Sequence, residues 1–464
     1  MEKLFKLSQH KTNVRTEVLG GITTFFAMAY IILVNPGMLS YGDSAIFNGV
    51  LFATCLSSAI GTLLMAFLAN FPFAQAPGMG LNAFFAFTVM PAMITLSGNP
   101  DLPLVKQYQM ALALVFISGI LFLVITLTGA REAVIKGIPQ NIKLSISGGI
   151  GLFIAYIGLQ NSGLVVPNDS TQVSLIAFSG PMADGHAVHG AILALVGLLI
   201  IGALYSMKIK GSILIGIVVT SVLAYVTGHT HFPENFYFNL GQQASDFVST
   251  SFFKMDFATL FAGSEGIAAA LGTIIVLVLS FSMVDMFDTI GTFLGTAQQA
   301  GLMNEDGEME GMKKGLMCDS IATVAGAALG TSTVTTYVES SAGIGEGART
   351  GLSSLVTGIL FVVALLLSPF VALIPGVATA PALIFVGCLM IGGLRKVNFD
   401  DVTEALPAFL TVAMMPLTYS IANGIAFGLI SYIVLKLVTG KFRDIKIPTV
   451  IIAVLFIIRF FVSI

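Results

Sequence analysis

The chain has 464 residues, of which 56% are hydrophobic and 10% are charged. A soluble domain usually carries about 25% charged residues, so this composition excludes a water-soluble fold and makes a lipid bilayer the expected solvent. The net charge of −3 excludes a basic nucleic-acid-binding surface, and we expect no nucleic acid partner. The three cysteines lie singly in apolar stretches, and the five histidines show no ligand spacing. Neither a metal site nor a cofactor is therefore predicted.

Apolar stretches follow one another along the whole chain. The first runs from 18 to 39 after a polar, basic N-terminus, and it is too long for the apolar core of a cleavable signal peptide. We therefore predict a true first span. About thirteen further spans or half-spans are expected at typical spanning lengths. They are 46–69, 77–97, 107–129, 138–160, 188–206, 211–228, 266–294, 315–330, 338–350, 351–373, 376–394, 403–420 and 421–438. A last apolar stretch, 448–463, is either another span or a helix in the membrane interface.

Basic residues concentrate in alternate loops. Lys and Arg precede the first span and follow the fourth, sixth, eighth, tenth, twelfth and fourteenth spans, as in Arg131, Lys136, Lys208, Lys210, Lys313, Lys314, Arg349, Arg395 and Lys396. Of the intervening loops, 161–187 has no Lys or Arg and 229–265 has only Lys254. Because cytoplasmic loops carry the excess of Lys and Arg, this alternation predicts a multi-pass protein of the cytoplasmic (inner) membrane with a cytoplasmic N-terminus.

Two interrupted apolar segments occupy matching positions in the two halves of the chain. They are FAQAPGMGLNAFFAF at 73–87 and TSTVTTYVESSAG at 331–343. After each comes a long span, and then an Ile-Pro pair opens another apolar run, at Pro139 and at Pro375. Paired interruptions of this kind point to a transporter binding site.

Each interruption is predicted to be an extended stretch followed by a half-helix. Thr331–Val338 is rich in β-branched residues, and Pro77 disfavours helical geometry at the residue before it. Two extended stretches can pair with each other, and the N-termini of their half-helices then present unpaired N–H groups at one point. The alternative is that the Gly and Pro residues only kink continuous helices.

Three carboxylates lie within predicted spans. Asp285 and Asp288 share one face of the eighth span because they are three residues apart, and Glu339 opens the tenth half-helix. A charge at the bilayer centre costs about 2.5–3.5 kcal/mol on insertion scales, so each is a candidate for substrate binding or proton coupling. The alternative, strongest for Asp288, is that a carboxylate bonds the backbone of a broken helix.

Three uncharged side chains complete the candidate substrate site. Asn82 offers both a donor and an acceptor, as a purine edge does, and a cap on the third half-helix is an equal alternative. Tyr337 is suited to stacking on or hydrogen-bonding a flat ring, or to packing in the core. Ser340 follows Glu339 at the start of the tenth half-helix.

Long motifs in these segments resemble the azaguanine-type purine permeases, a branch of the xanthine/uracil permease (nucleobase–cation symporter) superfamily. Within that branch they are most similar to the bacterial guanine/hypoxanthine permeases. The motifs are GGITTFFAMAYIILVNP (20–36), APGMGLNAFFAF (76–87), VDMFDTIGT (284–292), GTSTVTTYVESSAG (330–343) and PAFLTVAMMPLTYSIANGIAFG (407–428). Glu346 departs from the pattern, because a small residue is common at that position.

The resemblance implies an all-α fold of about fourteen segments in two inverted repeats of seven, with short strands in segments 3 and 10. Segments 1–4 and 8–11 (1–130 and 266–373) would form a core domain. Segments 5–7 and 12–14 (131–265 and 374–440) would form a gate domain, and 441–464 would be an extra hydrophobic segment. It also implies that Asp285 and Glu339 bind substrate and proton, with Asn82 contributing and Asp288 in support.

The resemblance also implies import of guanine or hypoxanthine, and possibly adenine, by proton symport. Homodimers are plausible because a gate domain needs a partner to brace against. An anion transporter or channel with the same half-helix architecture is the alternative class, although carboxylates at the site would repel an anion. An enzyme is not expected, since no H-E-x-x-H or G-x-S-x-G motif is present. Uracil or xanthine remains an alternative substrate, and the preferred purine, the coupling ion and the carboxylate that carries the proton stay open.

Overall fold

A computed structural model describes residues 1–128, 138–179, 184–231, 240–262, 267–300, 302, 309, 311–371 and 373–461, with part of the side chains of 267–300. The predicted basic loop with Arg131 and Lys136 lies outside the described residues. Eight of the described helices are long and apolar enough to cross a membrane by themselves, and shorter apolar helices accompany them. The predicted polytopic, all-helical class is therefore confirmed.

The described helices group into fourteen membrane segments. The first seven are segment 1 (Val14–Met28 and Ile31–Leu39), segment 2 (Ser44–Leu64 and Met65–Ala69), segment 3 (strand β1, Gln75–Pro77, then helices Met79–Phe84, Phe85–Val89 and Met90–Ser97), segment 4 (Leu104–Thr128), segment 5 (Gln140–Asn161, followed by strands β2, Val165–Asn168, and β3, Gln172–Leu175), segment 6 (Gly185–Ser206) and segment 7 (Ser212–Val226). The second seven are segment 8 (Ile267–Ala300), segment 9 (Met312–Leu329), segment 10 (strand β4, Val334–Thr336, then helix Ser340–Gly345), segment 11 (Gly351–Leu365), segment 12 (Gly376–Ile391), segment 13 (Val402–Leu417) and segment 14 (Ile421–Val438).

Shorter or peripheral helices connect or flank these segments, and two of them, Gly392–Lys396 and Phe442–Asp444, are single 3-10 turns. The others follow in chain order. They are Glu2–Phe5, Leu240–Asp246 with Phe247–Ser251, Phe257–Ala262, Ser368–Val371 and the C-terminal helix Ile447–Phe461.

Strands β1 and β4 pair with each other inside the helical bundle. The pairing is antiparallel, with Ala76 opposite Thr335, and every residue of both strands is buried. Two further backbone bonds extend the pair, from Gly78 N to Thr333 O (3.1 Å) and from Tyr337 N to Ala74 O (3.0 Å). Extended backbone is tolerated at membrane depth only where the protein satisfies its amides, and here each strand satisfies the other. The predicted extended stretches and half-helices are confirmed.

Contacts between segments divide the bundle into two groups. Segments 1–4 and 8–11, which we call the core group, pack mainly against one another, and so do segments 5–7 and 12–14, the gate group. Fewer contacts join the groups, chiefly segment 8 with segment 5 and segment 3 with segment 5. The residue boundaries predicted for a core and a gate domain stay predictions.

Segments 5 and 12 cross at a pair of glycines. Gly151 and Gly387 each lie twelve residues after the proline that precedes their helix, Pro139 and Pro375. A Cβ atom on Gly387 would lie 2.3 Å from the carbonyl oxygen of Gly151, and one on Gly151 would lie 2.7 Å from that of Gly387. Equivalent residues of the two halves therefore meet each other, as an inverted repeat requires. The predicted repeat of the Ile-Pro motifs has this structural basis.

The C-terminal helix Ile447–Phe461 runs back alongside segment 14. Near the turn, the Lys436 ammonium lies 3.2 Å from the Asp444 carboxylate. Farther on, the rings of Phe460 and Phe427 are 5.6 Å apart. Since Phe427 lies eleven residues before the end of segment 14, the helix follows that segment for about 17 Å. It therefore packs along segment 14 beside the gate group, and the two alternatives for this stretch stay predictions.

Three histidines that lack ligand spacing in the sequence meet at the ends of segments 6 and 7. The imidazole of His229 stacks on that of His186, with ring centroids 4.2 Å apart, and touches His189 edge-on at 5.2 Å. Burial lowers the pKa of His229, and the neighbouring imidazoles lower it further. The described residues contain no group of three His, Cys, Asp or Glu side chains arranged to hold a metal ion.

We expect Gly387→Ala to destabilise the protein, because the added methyl group meets backbone atoms of segment 5 that cannot move aside alone. Overpacking of this kind typically costs about 1–3 kcal/mol. A thermal unfolding curve of the detergent-solubilised protein measures the effect as a lower Tm. Gly376→Ala, in the same helix but with nothing within 4 Å of the new Cβ, is the matched control. Equal Tm values for the two variants would contradict the close crossing.

Candidate functional site

A cavity of about 1240 Å³ lies between the core group and the gate group. Both groups form its walls, so a change in their relative position must change its shape. Segments 1, 3, 8 and 10 contribute Tyr30, Gly78, Met79, Thr292, Thr335, Thr336, Tyr337 and Glu339, and segments 5 and 12 contribute Ser147, Ile150, Val386 and Met390. A cavity at a boundary between packed units, apolar with a few convergent polar groups, is typical of a small-molecule site.

The cavity opens on the side of the protein that carries the basic loops. Lys208, Lys210 and Lys396 lie at this end, together with Glu346 of the loop after segment 10. The Lys210 ammonium and the Glu346 carboxylate form an ion pair of 2.7 Å that joins a gate-group loop to a core-group loop. Glu346, a departure from the family pattern that we expected to lie away from the site, thus bridges the two groups at the mouth of the cavity, so that expectation is wrong.

Aromatic rings join the two groups at the opposite end of the molecule. Tyr41 and Phe87 of the core group lie 6.0 Å apart, and Phe87 lies 5.3 Å from Tyr419 of the gate group. Tyr419 in turn contacts Phe153 at 5.2 Å and Tyr156 at 6.1 Å, both on segment 5. Edge-to-face packing of this kind closes the boundary between the groups on this side. The site is therefore open at one end and sealed at the other.

Glu339 stands at the start of the tenth half-helix and lines the cavity. Its Oε1 accepts a hydrogen bond of 2.6 Å from the hydroxyl of Tyr30, which lies 309 residues earlier in the chain. The predicted carboxylate is thus at the cavity wall. Its phenolic partner was missed, since nothing near Tyr30 in the sequence points to it.

Tyr337 and Ser340 lie on either side of Glu339 and differ in position. Tyr337 lines the cavity, and its hydroxyl donates to the carbonyl of Pro77 at 2.5 Å. Ser340 is fully buried, and its Oγ accepts a 3.0 Å hydrogen bond from the backbone N–H of Ala74. Tyr337 is therefore placed to touch a ligand, whereas Ser340 holds β1 against the half-helix. That both bind substrate stays a prediction.

Asn82 connects the two interrupted segments. It is fully buried, its Nδ2 donates to the carbonyl of Pro77 at 3.3 Å, and its Oδ1 accepts from the hydroxyl of Ser332. Both ends of the amide are thus engaged with the protein in this conformation, but Asn82 lies inside the half-helix Met79–Phe84 and does not cap it, so the capping alternative is wrong. Substrate binding by Asn82 stays a prediction that requires these bonds to rearrange.

Asp285 lies in segment 8 on the same helical face as Thr292, but it is not among the described residues that line the cavity, so substrate binding by Asp285 stays a prediction. It is 1% exposed, and Thr289 and Thr292 follow it at helical spacings of four and seven residues, with Thr292 at the cavity wall. Segment 8 packs against β4 and against the half-helices of segments 3 and 10. The side chain of Asp288 lies outside the described residues, so its supporting role stays a prediction.

Asp319, a carboxylate that the sequence reasoning missed, organises the polar interior behind the strands. It is fully buried in segment 9, where its Oδ2 accepts from the hydroxyl of Thr289 at 3.0 Å. The side-chain amide of Gln75 lies 3.4 Å from its Oδ1, and Thr289 also bonds Thr335 at 2.8 Å. Since Thr335 lines the cavity, the carboxylate is linked to the site through two hydroxyls. A lone acidic residue in an apolar run was the available signal.

A further buried carboxylate serves the fold. Glu17 of segment 1 is fully buried and accepts backbone hydrogen bonds from Arg349 (2.8 Å), Thr350 (3.3 Å) and Ser353 (3.2 Å) at the start of segment 11. It supplies acceptors for N–H groups that a helix N-terminus leaves unpaired. Burial alone therefore does not mark a carboxylate as part of the site.

The fold and the cavity together are those of a membrane transport protein: two helical groups enclose a largely apolar cavity with a few polar groups, between basic loops on one side and an aromatic cluster on the other. Comparison with known proteins specifies the class. The model of the permease family Xan_ur_permease matches residues 15–427. The chain belongs to this family, as the motifs of segments 1, 3, 8, 10 and 13 indicate.

Individual relatives match over the whole chain. The adenine permease AdeP of Escherichia coli (strain K12) is 41% identical over 99% of this chain and 95% of its own. The guanine/hypoxanthine permease PbuO of Bacillus subtilis (strain 168) is 40% identical over 99% of this chain and 100% of its own. The transmembrane domain of the cyanobacterial bicarbonate transporter BicA shares the fold, with a TM-score of 0.63 at 16% identity over 89% of this chain and 97% of that domain.

We expect Thr289→Val to lower both the transport rate and the Tm. The substitution keeps the shape of the side chain but removes a donor to Asp319 and the bond to Thr335. A buried acceptor that loses its partner costs about 1–3 kcal/mol. Uptake in whole cells and thermal unfolding of the purified protein measure the two effects.

Thr296→Val is the control for this variant. Thr296 lies two turns further along segment 8, and its hydroxyl donates to the carbonyl of Thr292 in its own helix. We expect near-normal uptake and Tm from it. A Thr289 variant that behaves like the Thr296 variant would show that the Asp319 network does not support the site.

Proposed function

We propose that this protein imports purine nucleobases, either guanine and hypoxanthine or adenine, by proton symport across the cytoplasmic membrane. The observation that carries the proposal is Glu339, a carboxylate at the wall of the cavity between the core and gate groups. The whole-length similarity to AdeP and PbuO, an adenine permease and a guanine/hypoxanthine permease, supports a purine as the ligand.

Glu339 has the chemistry that a purine requires. An ionised carboxylate has only acceptors, and a purine base presents ring N–H and, in guanine and adenine, exocyclic amine donors. Tyr337 and Met79 add flat or polarisable surface at the same wall, which suits contact with a ring. Glu339 is accordingly the substrate ligand, and Tyr337 is its neighbour in the site.

Proton symport follows from the cost of moving a charge through the apolar layer. A carboxylate that crosses part of the membrane with the core group carries a negative charge unless it binds a proton. Protonation of Glu339 or Asp285 removes that charge, so the loaded core group moves at lower cost. Each transport cycle would then carry one base together with a proton. Asp285, which is buried on the face of segment 8 that also carries Thr292, is the second candidate for the proton.

The conformation fits an inward-facing carrier. The basic loops at the open end of the cavity place that end in the cytoplasm, and the aromatic cluster of Tyr41, Phe87 and Tyr419 then seals the outer side. Release of the base to the cytoplasm is possible from this state. Movement of the core group against the gate group would separate the aromatic rings, close the inner mouth and break the Lys210–Glu346 ion pair. A homodimer that braces the gate group would favour such movement.

Anion transport is the second candidate, favoured by the fold shared with the bicarbonate transporter BicA. The half-helices present N–H groups as an anion site does. Glu339 opposes this function, because a carboxylate at the cavity wall repels an anion. The chemistry of the site therefore favours a neutral base.

We expect Glu339→Gln to lower hypoxanthine uptake about 10- to 140-fold, since a hydrogen bond to a charged group is worth about 1.5–3 kcal/mol. This fold-change is measured as the uptake of labelled hypoxanthine, adenine and guanine by cells that lack other purine carriers. A protonophore should abolish accumulation by the wild-type protein. Asp101→Asn, on the exposed loop after segment 3, is the control and should transport normally.

Competition separates the two candidate functions. Excess purine bases should suppress labelled uptake, whereas sulfate and bicarbonate should leave it unchanged. Accumulation that persists with the protonophore would rule out proton symport. Suppression by the anions and not by the purines would replace the purine proposal with anion transport.

The Lys210–Glu346 pair should favour the inward-facing state. A cysteine introduced at Ser147, on the cavity wall, reports access from the cytoplasmic side in inside-out vesicles after the exposed native Cys388 is replaced by serine. We expect Glu346→Gln to slow the reaction of that cysteine with a thiol reagent by up to about fivefold. The reason is that an exposed ion pair stabilises a conformation by about 0.2–1 kcal/mol.

The double variant Lys210→Glu/Glu346→Lys is the matched control, because it restores opposite charges with reversed positions. We expect its labelling rate to approach that of the parent. Equal labelling in all three proteins would show that the ion pair does not influence the equilibrium between states.

A further inference from the structure

Tyr30 lies at a break in segment 1, between the helices Val14–Met28 and Ile31–Leu39. Its ring is 1% exposed, yet the residue contributes to the cavity wall opposite the tenth half-helix. The break thus places a phenol at the cavity wall, where segment 1 also contributes Thr23. No motif in the sequence assigns a role to this residue.

The hydroxyl of Tyr30 donates to Oε1 of Glu339 at 2.6 Å. The carboxylate has about four acceptor positions, so this bond leaves others for a ligand. The cavity wall therefore presents a hydroxyl donor and a carboxylate acceptor side by side. Both groups belong to the core group, so they would move together during transport.

A purine presents the complementary pair on its six-membered ring. In hypoxanthine and guanine the N1–H donor lies beside the O6 acceptor, and in adenine the amine donor on C6 lies beside the N1 acceptor. A carboxylate alone satisfies only the donor. The adjacent acceptor would then be buried without a partner, which costs about 1–3 kcal/mol.

We propose that Tyr30 is a second substrate ligand, whose hydroxyl turns from Glu339 to the acceptor beside the ring N–H or amine of the bound base. The carboxylate accepts from that donor, and the phenol donates to O6 of an oxopurine or to N1 of adenine. Between transport cycles the same hydroxyl would hold Glu339 in place. This inference rests on the proposed purine transport and names the chemistry by which the site recognises the base.

The test compares hypoxanthine with 6-mercaptopurine, which keeps the N1–H donor but replaces O6 with sulfur, a weaker acceptor. Both are used as competitors of labelled hypoxanthine uptake in the wild-type protein and in Tyr30→Phe. We expect the substitution to weaken the apparent affinity for hypoxanthine about 5- to 140-fold, as the loss of about 1–3 kcal/mol of binding free energy implies. We also expect it to narrow the preference for hypoxanthine over 6-mercaptopurine. Tyr225→Phe removes a hydroxyl that donates to Leu373 O, away from the cavity, and is the matched control.

Each outcome is informative. If Tyr30 only positions Glu339, the apparent affinities for hypoxanthine and 6-mercaptopurine fall equally and their ratio is unchanged, which overturns the proposal. An unchanged affinity for hypoxanthine overturns it as well. If the phenylalanine variant fails to reach the membrane, 3-fluorotyrosine at position 30 is the substitute, because it keeps the shape of the side chain and makes the hydroxyl a stronger donor. An unchanged ratio of the two affinities again overturns the proposal. Absence of any purine uptake by the wild-type protein would overturn both this inference and the proposed function, whereas normal wild-type uptake with an unchanged ratio overturns this inference alone.

Discussion

Backbone amides in the middle of a bilayer must find partners within the protein, and the pairing of β1 with β4 meets this requirement. Without the pairing, neither segment 3 nor segment 10 could interrupt its helix at membrane depth. The interruption in turn places the start of a half-helix, and with it Glu339, at the cavity wall. Tyr337 strengthens the arrangement by bonding Pro77 across the pair. The polar site is therefore a consequence of how two broken segments satisfy each other.

The two halves of the chain meet at equivalent residues. Gly151 contacts Gly387 in the gate group, and β1 contacts β4 in the core group. Each contact ties one half of the sequence to the other, so neither group can form from a single repeat. The cavity lies where the two groups face each other with fewer contacts. A site at such a boundary is well placed for alternating exposure, because relative movement there disrupts little packing.

Buried carboxylates serve different purposes in this protein, and their partners distinguish them. Glu17 accepts backbone N–H groups and completes a helix N-terminus. Asp319 accepts from side chains that support the strands. Glu339 lines the cavity and accepts from the hydroxyl of Tyr30. Of these three carboxylates, Glu339 alone has acceptor capacity directed at the cavity, as its proposed role in substrate binding needs.

Local features of the sequence were sufficient to predict the fourteen segments, the extended stretches before the half-helices and the place of Glu339 at the start of the tenth half-helix. Length, β-branching, proline positions and an isolated charge act over a few residues, so each could be recognised from the sequence alone. Tertiary structure decided the rest. The bonds of Tyr30 to Glu339 and of Asn82 to Ser332 join residues hundreds of positions apart, and they separate residues that line the cavity from residues such as Ser340 that support it. Which side chain meets which depends on how the helices pack, and that information is distributed over the whole chain.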